Sequence, residues 1–165
     1  MNNYVWVGKI VNSFGIKGEV KILSDFEYKD RVFKKDAVIY IGINKDKEVI
    51  NTHRVHKNFR LVTFSGYSNI NEILKYKGCN IYVLRSDLKL KSNEYLYRDL
   101  IGYKVVDKEI IGIILDYELT NGNVLLKVKG EKIFYIPLYS DYVVEVDQVN
   151  KNIVTNNGRN LIIWK

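Results

Sequence analysis

The chain is poor in the residues that anchor most catalytic and metal-binding chemistry. Of its 165 residues, one is cysteine, one is proline and two are histidine. A single cysteine, Cys79, excludes an internal disulfide and supplies no thiolate set for a structural zinc. It follows Gly78 where an apolar segment starts, so burial is expected there rather than nucleophilic reactivity. His53 and His56 are three apart in a strand-like segment, and alternation sends them to opposite faces, away from a shared metal. The Gly-x-Ser-x-Gly elbow, the P-loop and the dinucleotide glycine pattern are all missing. Glu94 and Asp99 are near neighbours, but nothing marks them as an acid–base pair. No catalytic residue, no metal ligand and no cofactor is therefore expected. No apolar run approaches the ~18 residues of a membrane span. Met1-Asn2-Asn3-Tyr4 lacks the basic start and apolar stretch of a signal peptide, so a cytoplasmic protein without a membrane partner is expected.

What is present is apolar content and an uneven charge. The chain is 47% hydrophobic and 27% charged, enough apolar matter for a folded core. The formal net charge is +7, and its distribution says more than its size. Residues 1–86 hold 15 basic and 8 acidic side chains, whereas residues 87–165 hold 11 of each. A basic module joined to a neutral one suggests that the first touches a polyanion. A solvated lysine-rich surface would give the same count, and charge alone leaves both readings open.

Short runs rich in Val, Ile, Tyr and Phe, separated by Gly, Asn and Asp, predict an all-β chain. In the first half, strands are expected near 4–11, 18–24, 37–43, 48–55, 59–65 and 80–84. Six strands in so short a stretch suggest a closed barrel, because closure removes exposed edges. One helix interrupts them. Asn69 stands at its cap with Glu72 three residues on, Ile70, Ile73 and Leu74 follow helical spacing, and Gly78 is placed to end it. Such a helix would plug the barrel or cover its open end. Residues 85–93 carry no period, and the charge balance changes there. The expected division is a first barrel over 1–86, a linker over 87–93 and a second small barrel over 94–165. Strands in the second are expected near 100–106, 110–119, 123–129, 132–137, 142–147 and 152–155. Pro137 should end its strand or lie on an edge.

Gly15-Ile16-Lys17-Gly18 matches the Gly-x-x-Gly loop with which some nucleic-acid-binding domains clamp a backbone. Its neighbours look like strands, so Gly15 and Gly18 are equally read as a structural turn that leaves Lys17 projecting. Preceded by Val7-Gly8-Lys9-Ile10-Val11 and followed by Glu19-Val20-Lys21, this stretch resembles the opening signature of RimM-type ribosome maturation factors (16S rRNA processing proteins). The resemblance continues through Arg54-Val55-His56-Lys57, a strand over 61–66 and the Asn71-Glu72 helix. Glu94-Tyr95-Leu96-Tyr97-Arg98-Asp99-Leu100-Ile101-Gly102, Ile136-Pro137-Leu138, Val146-Asp147 and Gly158-Arg159-Asn160-Leu161 carry it on to about residue 161.

The resemblance implies an N-terminal barrel like those of translation factors and a C-terminal PRC-barrel. It implies an assembly factor that binds the head of the immature small ribosomal subunit and helps the 3′ domain of 16S rRNA mature; a monomer is expected. Small-subunit ribosomal protein number nineteen is the implied protein partner. Lys17, Lys21, Arg54, Lys57 and Arg60 are the candidate rRNA phosphate contacts. Tyr95 and Tyr97 are the candidate ribosomal-protein contacts, with core or edge packing as the competing role. The family often has two adjacent tyrosines and then a tryptophan where this chain has Tyr95, Leu96 and Tyr97, so the aromatic contact is in question at Leu96. Phe14 stands where the family often has His or Leu, and the family's longer turn is reduced to Leu119-Thr120-Asn121-Gly122-Asn123. Two rival functions come from other classes. One is a flavin-binding reductase, because similar barrels carry flavin. The other is a structural PRC-barrel subunit of a membrane complex, which would need an anchor.

Overall fold

Alternating apolar and polar side chains carry most of the chain into strands. The computed structural model describes residues 3–15 and 17–162. The chain divides into two units, Met1–Asn93 and Glu94–Lys165.

The first unit holds β1 (Tyr4–Phe14), β2 (Glu19–Leu23), β3 (Val38–Ile41), β4 (Asp46–His56), β5 (Phe59–Phe64) and β6 (Asn80–Leu84). They close into a barrel in the order β1-β2-β5-β4-β3-β6, as the strand count predicts. Every ladder is antiparallel. Val7, Ile22, Ile39, Ile50, Phe64 and Ile81 fill the interior and are wholly buried. At roughly 25 cal/mol per Å² of apolar surface, each such side chain contributes about 1.5–3 kcal/mol. Bulges at Ile10/Asn12 and Ile50/Thr52 bend the two eleven-residue strands around the barrel.

The helix α2 (Ile70–Ile73) begins at the capping box expected for it. The Asn69 side chain accepts from the Asn71 amide at 2.9 Å, and Glu72 Oε1 accepts from the Asn69 amide at 3.2 Å. A 3₁₀ turn, Leu74–Tyr76, follows directly. Tyr76 is buried and donates its hydroxyl to Glu48 Oε2, which also accepts from the Tyr67 hydroxyl at 2.7 Å. Glu48 pairs with Ile39, so it shares the barrel's interior face. Burial, reinforced by the hydrogen bond to Glu48, pushes the Tyr76 hydroxyl pKa far above its ordinary value. The α2 segment thus enters the barrel's interior through Tyr76, as the covering role requires.

A second helical turn, α1 (Lys29–Val32), is not foreseen from the sequence, because four residues show no period and no side chain caps it. It is held by burial of Val32 and Phe33. Residues Arg85–Leu88 form a 3₁₀ turn whose Leu88 is buried, so the chain stays packed past the point where a linker is expected to begin. Cys79 is half-buried rather than buried, its thiol directed to the Lys75 carbonyl at 3.8 Å.

The second unit holds β7 (Lys104–Asp107), β8 (Glu109–Thr120), β9 (Asn123–Lys129), β10 (Ile133–Pro137), β11 (Val143–Asp147) and β12 (Asn152–Thr155). These form a six-stranded sheet in the order β10-β9-β8-β7-β12-β11. Among the described residues of this unit only β7 and β12 pair in parallel. Leu100, Val105, Leu126, Val128, Ile136 and Ile153 form one core, against which Val143 and Val146 of β11 also pack, so the sheet curls around it. Asn121 and Gly122 both take positive φ (47° and 79°), forming a two-residue hairpin turn between β8 and β9. Pro137 ends β10, which has one hydrogen-bonded neighbour, so both expectations for it hold. The strand expected from residue 100 starts instead at Lys104. Residues Tyr97–Leu100 make a 3₁₀ turn, and the Asp99 carboxylate accepts from the Leu96 amide at 3.0 Å. That hydrogen bond gives Asp99 a structural role. Arg159 pairs with Glu109 and its amide donates to Asp107 at 3.1 Å, pinning the closing Gly158–Leu161 turn to the β7–β8 corner.

Candidate functional site

The candidate phosphate contacts come from two hairpins, and strand pairing decides which of them meet. Lys21 of β2 and Arg54 of β4 both lie opposite Leu61 of β5. Residues paired across a ladder point to one side, so Lys21 and Arg54 share a face, with Leu61 between them. Alternation adds Glu19 from β2 and His56 from β4 to that face. Phe14 of β1 pairs with Glu19 and joins it.

The contacts within this patch are specific. Arg54 binds Glu19 through two parallel hydrogen bonds, each 3.0 Å. That hydrogen bond holds the Glu19 carboxyl below its ordinary pKa despite partial burial, with further contributions from Lys17 and His56. The same pairing raises Arg54. Phe14 packs on His56 with ring centroids 5.1 Å apart, and the Arg54 guanidinium lies 5.5 Å from the Phe14 ring. The Lys21 ammonium sits 4.1 Å from the centre of the Phe59 ring. Lys17 is exposed in the β1–β2 turn, where Gly15 and Gly18 take φ of +72° and +87°. Ile16 lies outside the described residues. Lys57 is exposed in the β4–β5 turn, also at positive φ.

Arg60 stands apart from this group. It pairs with Ile22 and Val55, one position along from Leu61, and so turns to the interior face at one end of the barrel. Its guanidinium donates to Asp30 of α1 at 2.8 Å and lies 3.3 Å from His53 Nε2. Asp30 is held below its usual carboxylate range by that hydrogen bond. Burial first, and the Arg60 charge second, lower the His53 pKa. The histidines therefore serve separate clusters on opposite faces. Among the described residues no group of three or more His, Cys, Asp or Glu side chains is placed to hold a metal ion.

Four candidates, Lys17, Lys21, Arg54 and Lys57, thus belong to one pair of hairpins. Among the described residues the one carboxylate within the patch, Glu19, is already bound to Arg54. Interleaved with them are Phe14, His56 and Phe59, which the sequence reading did not assign to the site. Basic groups alternating with aromatic rings suit a nucleic-acid backbone and its exposed bases.

In the second unit, Tyr95 is half-buried against the core and Tyr97 packs beside it. Tyr97 meets Tyr117 and Tyr139 edge-on at 5.8 and 6.2 Å, and its hydroxyl lies 3.0 Å from that of Tyr139. Tyr139 is 69% exposed, so the cluster runs from core to surface. Leu96, between the two candidates, is completely buried. A side chain in that position contributes packing, not contact. Among the described residues no helix is long and apolar enough to cross a membrane.

Comparison with known proteins adds sequence relatives that span this geometry. A family model described as the RimM N-terminal domain matches residues 5–88. The chain is 40% identical over 155 residues to a ribosome maturation factor RimM of Staphylococcus haemolyticus, covering 90% of this chain and 93% of that protein. It is 39% identical over 159 residues to a ribosome maturation factor RimM of an Exiguobacterium species, with 92% of each covered. Among solved structures, a 16S ribosomal RNA processing protein RimM of Pseudomonas aeruginosa is similar at 22% identity and a TM-score of 0.43, covering 96% of this chain and 99% of that one. The N-terminal domain of RimM from Thermus thermophilus is similar at 14% identity and a TM-score of 0.45, covering 52% of this chain and 94% of that one.

Proposed function

Because the chain belongs to the RimM family of ribosome maturation factors, we propose that it binds the head of the immature small ribosomal subunit and assists maturation of the 16S rRNA 3′ domain. It does so by holding its partners, without catalysing a reaction, as a cytoplasmic monomer. The observation that carries this reading is the β2–β5–β4 face, where Lys21 and Arg54 flank Leu61 among aromatic rings, with exposed Lys17 and Lys57 in the adjoining turns. Phosphates would replace solvent around Lys17, Lys21 and Lys57. Arg54 would contribute only by exchanging Glu19 for a phosphate. Arg60, bound to Asp30, has a structural role in this scheme.

The neutral second unit holds small-subunit ribosomal protein number nineteen through the surface-reaching end of its tyrosine cluster, Tyr95 and Tyr97 backed by Tyr139. Residues 1–86 and 94–165 act as two grips joined by residues 87–93. Two weak contacts on one particle reinforce each other through effective concentration. The test is sedimentation of the purified chain with immature small subunits, large subunits and assembled ribosomes over a range of salt. Binding confined to free small subunits is expected, weakening with salt by about one log–log slope unit per phosphate neutralised. Lys17→Ala combined with Lys57→Ala should flatten the slope by about two units. Equal binding to large subunits would defeat the reading.

A further inference from the structure

A second surface of the first unit is built from aromatic rings on three neighbouring strands. Trp6 of β1 pairs with Tyr82 of β6, and Tyr82 pairs in turn with Tyr40 of β3. Paired residues share a face, so the three rings form one row across the barrel wall. The flanking residues Val5, Val7, Ile39, Ile41, Ile81 and Val83 are buried, which puts the row on the outside. Trp6 is 41% exposed. Its indole nitrogen donates to the Asn80 side chain at 3.1 Å, which fixes the ring's orientation. Tyr4 braces the row, edge-on to Tyr40 at 5.2 Å and to Tyr82 at 6.5 Å.

Lysines frame these rings. The Lys45 ammonium lies 4.1 Å from the centre of the Tyr82 ring and 5.6 Å from that of Tyr4. Lys47 pairs with Tyr40, and Lys9 pairs with Asn80, so both share the outer face. Asp46 pairs with buried Ile41 and belongs to the other face. One carboxylate, Asp87, acts on the Tyr40 hydroxyl and raises its pKa after burial has done so. A polyanion would therefore run along the Lys9–Lys45 side of the row.

We propose that this row, Trp6–Tyr82–Tyr40 with Lys9, Lys45 and Lys47, is a stacking platform for unpaired RNA bases, separate from the β2–β5–β4 phosphate face. In the closed order, β6, β1 and β3 are not the strands that carry Lys21, Leu61 and Arg54. The chemistry is that of sequence-tolerant single-strand binding: each base offers a ring face to an aromatic side chain, and lysines track the backbone. The phosphate face accepts paired or unpaired RNA alike, whereas the platform accepts only bases that have left a helix. The inference rests on the RNA-binding reading above and narrows it to a mixed site, a helix next to a single-stranded stretch.

The full chain is titrated with a single-stranded RNA of about ten nucleotides, within the usual site size of such surfaces, and with the same strand annealed to its complement. A Trp164→Phe background leaves Trp6 as the sole tryptophan reporter. Expected results are quenching of Trp6 by the single strand and, with affinities read from the anisotropy of dye-labelled RNA, binding weakened by about fivefold or more in Trp6→Ala and in Tyr82→Ala. Duplex binding, its salt slope and the melting temperature should stay unchanged in Trp6→Ala, and Trp6→Phe should keep most of the single-strand affinity. Wild-type affinity for the single strand in Trp6→Ala overturns the platform. So does a Trp6→Ala chain that loses small subunits but keeps RNA, which would assign the row to a protein partner. Both outcomes leave the small-subunit reading intact. That reading fails separately, by absence of sedimentation with small subunits.

Discussion

Removing one oxygen atom from Tyr76 tests how the α2 segment is fastened to the barrel. In Tyr76→Phe the ring keeps its place, and so do its edge-on contacts with Phe64 at 6.0 Å and Tyr67 at 6.4 Å. What is lost is the hydroxyl hydrogen bond to Glu48. A hydrogen bond to a charged group contributes about 1.5–3 kcal/mol. The loss is softened because Tyr67 still donates to the same carboxylate oxygen at 2.7 Å. The expected cost is therefore about 1–2 kcal/mol, or roughly 1 M in a urea midpoint at a slope near 1–1.5 kcal/mol per M. Urea unfolding followed by Trp6 fluorescence in a Trp164→Phe background reports on the first unit. Tyr67→Phe alone should cost less, because Tyr67 is only half-buried. The double variant should cost more than both together, since it strips both hydroxyl donors from a carboxylate inside the barrel. A Tyr76→Phe midpoint within about 0.3 M of the parent, or strict additivity in the double variant, would refute the reasoning. Either result would mean that water replaces the hydroxyls and that packing alone fastens the segment.

Other expectations follow from particular contacts. Leu96→Tyr restores a family-like aromatic at a wholly buried site; overpacking should lower stability by about 1–3 kcal/mol, measured by thermal unfolding, without strengthening partner binding. Glu19 has a folded-state pKa below its ordinary value of 4.5, so the stability it adds is fully present above that value and is lost as pH falls through the lower folded one. Arg54→Met should flatten that acid limb in unfolding curves taken between neutral pH and about pH 3, and an unchanged limb would remove the ion pair as its cause. Glu19→Gln, by freeing Arg54, should steepen the salt dependence of small-subunit binding by about one log–log unit; an unchanged slope would show that Arg54 is not a phosphate contact.

Much of the fold was legible because period-2 alternation is a local signal. All twelve strands among the described residues fall near their expected places, and Asn69 and Glu72 announce α2 within four residues. α1 was not legible: it is held by the burial of Val32 and Phe33, which only the folded unit supplies, and four residues cannot show a helical period. The site was legible only in part, and for a similar reason. That Lys21 and Arg54 share a face depends on both pairing with Leu61, a register that neither segment encodes alone. Arg54 meets Glu19 across 35 positions and Arg60 meets Asp30 across 30, so pairing that takes Arg60 out of the group could not be foreseen. The Trp6–Tyr82–Tyr40 row was invisible for the strongest form of this reason. Its members come from the first strand, the last and one between, and only closure of the barrel aligns them.

That closure also sets a timetable for synthesis. β6 fills the gap between β1 and β3, so both keep an open edge until residues 80–84 leave the ribosome. At about 5–20 residues per second, β1 waits roughly 4–15 s for its second neighbour. The second unit waits in the same way, because β12, near its end, is inserted between β7 and β11. A nascent chain stalled before residue 80 presents two unsatisfied strand edges to any other unfinished chain nearby. One whose first 93 residues have all left the ribosome already carries a finished first unit. Pauses in translation are therefore costly in the first of these windows and harmless in the second.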